Sequence, residues 1–336
     1  MAAVDERVIV SREPFNAETR LDLQAGPLTP NGRHYVRSHF AQPDPPMELS
    51  VGGAVGKPAA FDLDDLRAMP SRTAAITLEC AGNGRAFLQP PVPGEQWRLG
   101  AVSTAEWTGV TLRSLLEPRE LSPATAEILF RGADHGTPAG TDRRIAYERS
   151  LPLDRALADD VLVAYAMNDA PIPPEHGAPL RLVVPTWYGM ASVKWLTEIR
   201  ALEAPFGGFY QRERYVVGDR PLRTMRPRAV IVAPLATVTA GASTVVRGYA
   251  WSGHGPVARV ELSLDGGRSW SDARLGPAIS PAAWREWSSD WTPPRGTHEL
   301  IARAMDAAGE AQPESQRRDP LGYENNAAQP ARVVAA

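Results

Sequence analysis

The side chain best suited to chemistry in this chain of 336 residues is its only cysteine, Cys80. A lone cysteine cannot form an internal disulfide or a zinc site built from several thiolates, so it packs in the core, attacks as a nucleophile or binds a metal. It follows an apolar, strand-like run at residues 75–78 and lies in the segment Glu79-Cys80-Ala81-Gly82-Asn83-Gly84-Arg85. This setting favours attack or metal binding over simple packing.

Three neighbours of Cys80 support such a role. Gly82 and Gly84 lack a Cβ atom, so the backbone could approach a bound group closely at these positions. Arg85 places a permanent cation near the sulfur, which favours the thiolate, the form that attacks or binds metal. A lone cysteine taken by itself is more often an inert buried residue, so the choice depends on the rest of the chain.

Length and composition limit the classes of protein that this chain can belong to. The length suits two domains with a sizeable core. The chain has 36 lysines and arginines against 39 aspartates and glutamates, a net charge of −3, which indicates no nucleic-acid partner. No apolar run reaches the roughly 20 residues needed to span a membrane, and a single cysteine fits a reducing compartment. We therefore expect a cytoplasmic protein without a membrane partner, or a periplasmic one if an export signal has been removed.

The first two thirds of the sequence predict an α+β fold. Short helical segments at residues 62–69 and 110–116 alternate with strand-like runs at 161–165 and 180–185, which are bounded by Pro, Asn or Gly. The 32 prolines and 28 glycines favour short strands and ordered loops. No G-x-G-x-x-G or P-loop sequence supports a doubly wound nucleotide-binding sheet. We therefore expect an irregular mixed α/β domain over residues 1–228.

The last third predicts an immunoglobulin-like β-sandwich over residues 229–336. Residues 244–251 and 257–264 alternate in hydrophobicity, a turn at residues 265–267 follows, and residues 299–304 form a further apolar run. The arginine-rich segment 218–227 is the expected linker, with its arginines in solvent. The tryptophans assigned to the sandwich core or a dimer surface are Trp251, Trp270, Trp284, Trp287 and Trp291.

Five segments, in matching order and spacing, resemble the sulfite oxidase family of molybdenum enzymes. They are Tyr35-Val36-Arg37-Ser38-His39, Cys80-Ala81-Gly82-Asn83-Gly84-Arg85, residues 97–105, residues 164–195 and Tyr210-Gln211-Arg212-Glu213-Arg214-Tyr215. The C-terminal sandwich is similar to the dimerisation domain of that family. The resemblance covers most of residues 14–335 and implies a molybdopterin-binding domain followed by a dimerisation domain, in a homodimer.

The resemblance also implies the site. Cys80 would give its thiolate to molybdenum, which is a soft centre when a dithiolene holds it, and oxygen-atom transfer would be the chemistry of the cofactor. The residues implied to hold the molybdopterin are Tyr35, Val36, Arg37, Ser38, His39, Asp134, His176, Arg181, Ser192, Val193 and Lys194. The residues implied to line the pocket for a small oxyanion substrate are Arg37, Arg85, Trp97 and Tyr215.

Several of these residues also have a purely structural interpretation. His39 and His176 could be satisfied histidines of the core, and Trp97 and Tyr215 could be packed aromatic residues. Arg181 lies in an apolar run and needs an anionic partner, which a phosphate or an ordinary carboxylate would supply.

Two positions depart from the family pattern. Gly84 stands where animal members carry the first of two arginines, and Leu321 stands where a substrate-binding arginine is expected. The loss of one cation should weaken the binding of a dianion by about 1 kcal/mol or more, although Arg317 or Arg318 could compensate.

The sequence thus predicts a molybdopterin oxidoreductase that converts sulfite to sulfate. No haem-binding motif occurs, so the electrons would pass to an external acceptor, a cytochrome or dioxygen. One alternative keeps the molybdenum site but acts on another small substrate, such as a sulfoxide. A second alternative is a non-enzymatic two-domain binding protein in which Cys80 is simply buried.

Overall fold

The computed structural model describes residues 6–316 and 319–336. Arg317 and Arg318, named above as possible compensating cations, lie outside the described residues. The α-helices are α1 (Leu63–Ala68), α2 (Leu112–Leu116), α3 (Leu153–Ala156) and α4 (Phe209–Arg212). The described helices include none with the length and apolar character that crossing a membrane requires.

Most of the ordered structure is β-sheet. The strands before residue 222 are β1 (Val8–Ser11), β2 (Asn16–Glu18), β3 (Leu49–Gly53), β4 (Ala59–Phe61), β5 (Arg72–Glu79), β6 (Val102–Thr111), β7 (Glu127–Gly136), β8 (Ile145–Pro152), β9 (Leu162–Met167), β10 (Ala170–Pro171), β11 (Arg181–Val183), β12 (Leu196–Leu202), β13 (Val216–Val217) and β14 (Arg220–Pro221). The later strands are β15 (Arg228–Ala233), β16 (Thr244–Trp251), β17 (Val257–Ser263), β18 (Ser271–Asp272), β19 (Arg274–Leu275), β20 (Arg285–Trp291), β21 (Gly296–Asp306) and β22 (Ala331–Ala335).

Two five-stranded sheets organise the N-terminal region. One has the order β10-β9-β6-β5 with β11 also paired to β9, and the other has the order β4-β3-β12-β7-β8. Only short helices accompany them, which confirms the predicted mixed α/β fold. At residues 110–116 the prediction was partly wrong, since β6 continues to Thr111. The helix α2 begins only after Thr111, whose hydroxyl accepts a hydrogen bond from the Ser114 amide at 3.2 Å.

The C-terminal region is a sandwich of two four-stranded sheets, as expected. Their orders are β15-β16-β20-β19 and β18-β17-β21-β22. Strands β16 and β17 occupy the segments in which hydrophobicity alternates, and Val246, Val260 and Leu300 point into a buried cluster between the sheets. The alternation in hydrophobicity therefore predicted correctly which face of each strand is buried.

The expected linker is packed in part against the N-terminal region. Strands β13 and β14 form a hairpin there, and Leu222 and Met225 join the core of the N-terminal region. Arg228, which directly follows the segment, is only 2% exposed. Within the segment, Arg220 and Arg223 are exposed, as expected, and Arg226 is partly buried, so the segment packs through its apolar side chains while most of its arginines reach solvent.

Two of the five tryptophans also have a different location from the one expected. Trp287 and Trp291 lie in the sandwich core, but Trp251 and Trp284 pack into the hydrophobic cluster of the N-terminal region. The indole N–H of Trp284 donates to the carbonyl of Pro27 at 2.7 Å. The two regions therefore share a continuous apolar contact.

A buried ion pair fastens the cysteine loop to the C-terminal region. Arg228 Nε lies 3.1 Å from Glu79 Oε1, and the two side chains are only 3% and 1% exposed. Glu79 also accepts hydrogen bonds from Trp251 Nε1 at 2.9 Å and Asn83 Nδ2 at 3.0 Å. Arg228 in turn donates to the carbonyls of Asn83 and Asn325. The residue before Cys80 is thus held by three separate parts of the chain.

Replacement of Arg228 by methionine should strongly destabilise the protein. The variant leaves the Glu79 carboxylate buried without its cation, so we expect the free energy of unfolding to fall by about 3 kcal/mol or more in urea titrations. The same change at exposed Arg220 should cost no more than about 0.5 kcal/mol. Equal losses in the two variants would show that the ion pair has no special structural role.

Candidate functional site

Cys80 directly follows β5 and lies where two cavities meet. Its backbone amide donates to the carbonyl of Ala101 at 2.9 Å, and its side chain is buried, with the whole residue 6% exposed. The inner cavity extends from Cys80 toward Lys194. The mouth cavity extends from Cys80 toward Leu321 and Tyr323. Both cavities include Arg37, His39, Cys80 and Tyr215 in their walls.

The inner cavity brings together most of the predicted site residues from distant parts of the sequence. Those in its wall are Tyr35, Val36, Arg37, Ser38, His39, Cys80, Asp134, His176, Arg181, Ser192, Lys194 and Tyr215. Residues 35–39 belong to an irregular segment, Asp134 lies in β7, Arg181 begins β11 and Lys194 precedes β12. Both sheets of the N-terminal region therefore contribute to one site.

Three of the predicted site residues, Arg85, Trp97 and Val193, do not line the inner cavity. Arg85 lines only the mouth cavity. Trp97 is fully buried in the cluster behind Cys80, and the structure does not bring it to the described wall of either cavity. Val193 is likewise a core residue, and its carbonyl accepts a hydrogen bond from the Leu182 amide at 2.8 Å. The apolar bodies of Trp97 and Val193 explain their burial.

Other residues of the inner cavity were missed by the sequence analysis. Tyr147 lines it and donates its hydroxyl to the carbonyl of Met190 at 2.7 Å. Glu175 also lines the cavity, and it contributes a backbone carbonyl that accepts from Lys194 Nζ at 2.9 Å. Gly189 leaves space for Tyr35, since a Cβ atom on Gly189 would lie 2.5 Å from the Tyr35 hydroxyl. The sequence signal for these residues was that Gly189 follows two aromatic residues, Trp187 and Tyr188. Such a pattern does not show that the glycine contacts Tyr35, which is distant in the sequence.

The far end of the inner cavity is rich in buried cations. Lys194 Nζ donates to Ser38 Oγ at 2.7 Å, and burial, with the nearby charge of Arg181, lowers the pKa of Lys194 well below its usual value. Burial also lowers the pKa of Arg181 to about 10. The guanidinium group of Arg181 lies over the Trp107 ring, 5.1 Å from its centroid. A bound anion would stabilise both positive charges and reverse these shifts.

Two buried polar atoms in the cavity wall have no hydrogen-bond partner among the described residues. They are Nε of Arg181 and Oδ1 of Asp134. Burial raises the pKa of Asp134 to about 6, and the Lys194 charge opposes that shift. Buried polar atoms are nearly always paired in native proteins. An unpaired donor and an unpaired acceptor in one cavity therefore indicate a polar ligand with matching groups.

These features fit a molybdopterin cofactor. Arg181 and Lys194 can hold a phosphate, and the carboxylate of Asp134 can accept from a pterin N–H group. Cys80 provides a soft sulfur ligand at the other end of the cavity. The described residues contain no group of three or more histidine, cysteine, aspartate or glutamate side chains placed to hold a metal ion.

Arg85 favours the thiolate of Cys80, as expected, but burial of the sulfur outweighs its charge. Burial is the largest effect and raises the pKa of Cys80, while Arg37 and, after it, Arg85 lower it only in part. A buried thiol of this kind loses its proton when a soft metal binds the sulfur.

The glycines of the loop at residues 79–85 are also needed for close packing within the protein itself. A Cβ atom on Gly82 would lie 2.5 Å from Arg85 Nη1, and one on Gly84 would lie 2.9 Å from the carbonyl oxygen of Asn325.

Tyr215 and His39 form a hydrogen-bonded pair at the junction of the two cavities. The Tyr215 hydroxyl lies 2.7 Å from His39 Nε2. Burial raises the pKa of Tyr215 and lowers that of His39, in both cases well away from the usual value. Both groups are therefore neutral near pH 7. Tyr215 also has a φ angle of 55°, a left-handed conformation that is uncommon for a bulky residue.

Arg85 connects two segments that form the mouth. It donates to the carbonyl of Glu95 at 2.9 Å and, through Nε and Nη2, to the carbonyl of Leu321 at 3.2 and 3.0 Å. The Leu321 side chain packs against the core of the N-terminal region. The mouth cavity thus has an apolar side chain at the position where the family motif predicts a cation.

Comparisons with known proteins agree with this geometry. The family model for the oxidoreductase molybdopterin binding domain matches residues 39–210. The model for the Mo-co oxidoreductase dimerisation domain matches residues 223–333. The mitochondrial sulfite oxidase of Mus musculus is 36% identical over 341 residues, which cover 91% of this chain and 61% of the mouse protein. The chain therefore spans less than two thirds of the mouse relative.

Two further relatives cover more of their own length. The sulfite oxidase of Gallus gallus is 36% identical over 346 residues, covering 91% of this chain and 72% of the chicken protein. The crystal structure of the sulfane dehydrogenase SoxCD from Paracoccus pantotrophus superimposes with a TM-score of 0.85 at 28% identity, over 97% of this chain and 87% of that one. The similarity thus extends through both regions of the fold.

Replacement of Gly189 by alanine should impair cofactor loading without unfolding the chain. The new Cβ atom would force the Tyr35 ring out of its place in the cavity wall, an overpacking cost of about 1–3 kcal/mol. We expect the molybdenum and pterin contents to fall by about threefold or more. Alanine at Gly207, where a Cβ atom meets nothing within 4 Å, should load normally. Normal loading of both variants would contradict the assigned role of Gly189.

Proposed function

This chain belongs to the sulfite oxidase family of molybdopterin oxidoreductases, and from that premise we propose that it oxidises sulfite to sulfate. The observation that carries the proposal is the position of Cys80. The sulfur lies between a cavity with unpaired polar groups suited to the cofactor and a mouth lined by arginines. An anion that enters the mouth therefore arrives at the place where a metal on Cys80 would stand.

The proposed reaction adds one oxygen atom, ultimately from water, to sulfite and releases two electrons and two protons. When bound, the molybdenum cofactor supplies oxygen-atom transfer to sulfur and takes up the two electrons. The electrons then pass to an external acceptor, a cytochrome or dioxygen. The protein itself has to hold the cofactor, orient the anion and limit the access of water.

In the inner cavity we assign the phosphate of the cofactor to Arg181 and Lys194. We assign the N–H groups of the pterin to Asp134. Buried cations bind an anion strongly because little water competes with them. Cys80 completes the assignment as the protein ligand to the metal, with Ala101 fixing the backbone at this residue.

In the mouth we assign the binding of substrate charge to Arg37 and Arg85. Arg85 also holds the carbonyls of Glu95 and Leu321, so its guanidinium group is already oriented. The Tyr215 hydroxyl can donate to the substrate anion or keep its bond to His39. Because Tyr215 and His39 are both buried and neutral, they can position a proton without adding net charge.

A second candidate function is the oxidation of another sulfur compound, and one observation favours it. Leu321 gives the mouth an apolar side chain where a sulfite-binding arginine is expected, so the pocket suits a less highly charged substrate. The structural relative SoxCD is a sulfane dehydrogenase, which makes sulfane sulfur a reasonable class to test beside sulfite and a sulfoxide.

The assembly and location are proposals as well. A homodimer through the C-terminal sandwich is supported by the match to a dimerisation domain. A cytoplasmic location is supported by the single cysteine of the chain.

The direct test is steady-state turnover of sulfite by the metal-loaded protein, with ferricyanide, a c-type cytochrome and dioxygen offered as acceptors. We expect sulfite-dependent reduction of at least one acceptor. Turnover of a sulfane or a sulfoxide in its place would favour the second candidate.

Replacement of Cys80 by serine should inactivate the metal centre. A serine hydroxyl is a harder and far less acidic ligand than a thiol, so it binds a soft metal poorly. The parent protein should carry about one molybdenum per chain, and activity should fall by about a hundredfold or more in the variant. Circular dichroism should show an intact fold. A parent protein that contains neither molybdenum nor pterin, and has no activity, would instead support a binding protein.

Replacement of Tyr215 by phenylalanine should keep the ring packing but remove the hydroxyl. If this hydroxyl bonds a charged substrate, kcat/KM for sulfite should fall between about tenfold and a hundredfold. The matched control is Tyr165→Phe, because Tyr165 is partly buried against the core and lies outside the described walls of both cavities. An unchanged kcat/KM in Tyr215→Phe would restrict Tyr215 to packing.

A further inference from the structure

The mouth cavity contains an acidic side chain that the function proposed above does not use. The charged side chains in its described wall are Arg37, Arg85, Arg214 and Glu95. Glu95 Oε2 lies 3.2 Å from Arg37 Nη2, and the two side chains are 25% and 18% exposed. This pair is therefore accessible from the cavity, unlike the Glu79–Arg228 pair in the core. A carboxylate is an unexpected group in a pocket for anions.

Glu95 occupies the part of Arg37 that is available to a ligand. The other terminal nitrogen of Arg37, Nη1, donates to Asn16 Oδ1 at 3.2 Å and to the carbonyl of Ser38. Nη2 is the nitrogen that faces Glu95. An anion that binds Nη2 of Arg37 from the mouth must therefore share this nitrogen with Glu95 or displace the carboxylate from it.

The backbone of Glu95 is held firmly while its side chain can move. The carbonyl of Glu95 accepts from Arg85 Nη1 at 2.9 Å and from the Trp97 amide at 2.9 Å. The preceding loop contains Pro90, Pro91 and Pro93, which restrict its backbone. In the part of the chain that the structure describes, Arg37 is the only cation within ion-pair distance of this carboxylate. Rotation of the side chain would thus release Arg37 without moving the loop.

The charge balance of the mouth follows from this arrangement. Arg85 is engaged with two backbone carbonyls, and Arg214 donates to the carbonyl of Glu213 at 3.1 Å and lies over the Phe209 ring. Leu321 adds no charge. A doubly charged anion near Arg37 would meet the negative charge of Glu95 at close range, whereas a neutral ligand would meet no such repulsion.

We propose that Glu95 is a specificity-determining residue, a carboxylate that competes with anionic ligands for Arg37 and so disfavours doubly charged ones. This inference rests on the proposed function, because it assumes that an anion binds in the mouth. The same repulsion weakens the hold on sulfate, the doubly charged product. Specificity obtained through a repulsive group is common where two ligands differ mainly in charge.

The test compares the cofactor-loaded parent with Glu95→Gln, which keeps the shape of the side chain and removes its charge. Isothermal titration with sulfate, which needs no turnover, should show a dissociation constant lower by about fivefold in the variant, as expected for a partly exposed ion pair. Steady-state assays should show a lower KM for sulfite without a rise in kcat. Binding of the neutral ligand dimethyl sulfoxide should stay unchanged.

The matched control is Glu213→Gln, since Glu213 pairs with Arg143 at 2.7 Å on an exposed surface. It removes the same charge near the mouth, and sulfate affinity should change by less than about twofold. Equal sulfate affinity in the parent and Glu95→Gln would overturn the inference, as would an equal gain in Glu213→Gln. Failure of every protein to bind sulfate would also overturn it. Tighter sulfate binding by Glu95→Gln alone, with no sulfite turnover in any protein, would contradict the proposed function and leave the inference supported.

Discussion

The buried contact between Glu79 and Arg228 is the constraint on which the rest of the site depends. Two charges removed from water are costly unless each finds close partners, and here each also forms hydrogen bonds to other segments. Glu79 ends β5 and Arg228 begins β15, so the contact fixes the position of Cys80 relative to the sandwich. The C-terminal region is therefore part of the framework of the site as well as a candidate dimerisation domain.

Arginines serve two distinct purposes in this fold. Arg85, Arg149 and Arg228 use the several donors of the guanidinium group to hold backbone carbonyls from separate segments. Arg37 and Arg181 also donate to backbone carbonyls, those of Ser38 and His176, but each lines the inner cavity. The first group explains how irregular loops keep a defined shape, because carbonyl groups that no strand pairs are satisfied by these side chains. The second group leaves positive charge where an anionic cofactor and substrate would bind.

Burial controls the electrostatics of the whole site. It lowers the pKa of His39 and His176 and raises those of Tyr215 and Cys80. The protein thus holds a neutral tyrosine, histidine and thiol near the junction of the cavities, with Arg37 and Arg85 as the nearby cations, and places Arg181 and Lys194 at the far end of the inner cavity. Cofactor binding would place negative charge against those cations and a soft metal against the thiol, so it would relieve both penalties together. The site is arranged for a ligand that carries both groups.

Local patterns in the sequence determined the classes of element and the set of chemical groups. Alternating hydrophobicity located β16 and β17, and the resemblance named Cys80 and most of the inner-cavity residues, because both depend on residues close together in the chain. Tertiary structure alone decided which of those residues share a cavity and what each one contacts. It placed Trp97 in the core, buried Arg228 directly after the expected linker, turned Arg85 toward backbone carbonyls and brought Glu95 to Arg37. The physical reason is that burial, ion pairing and the pKa of a group depend on neighbours that are distant in sequence, and only the folded chain supplies them.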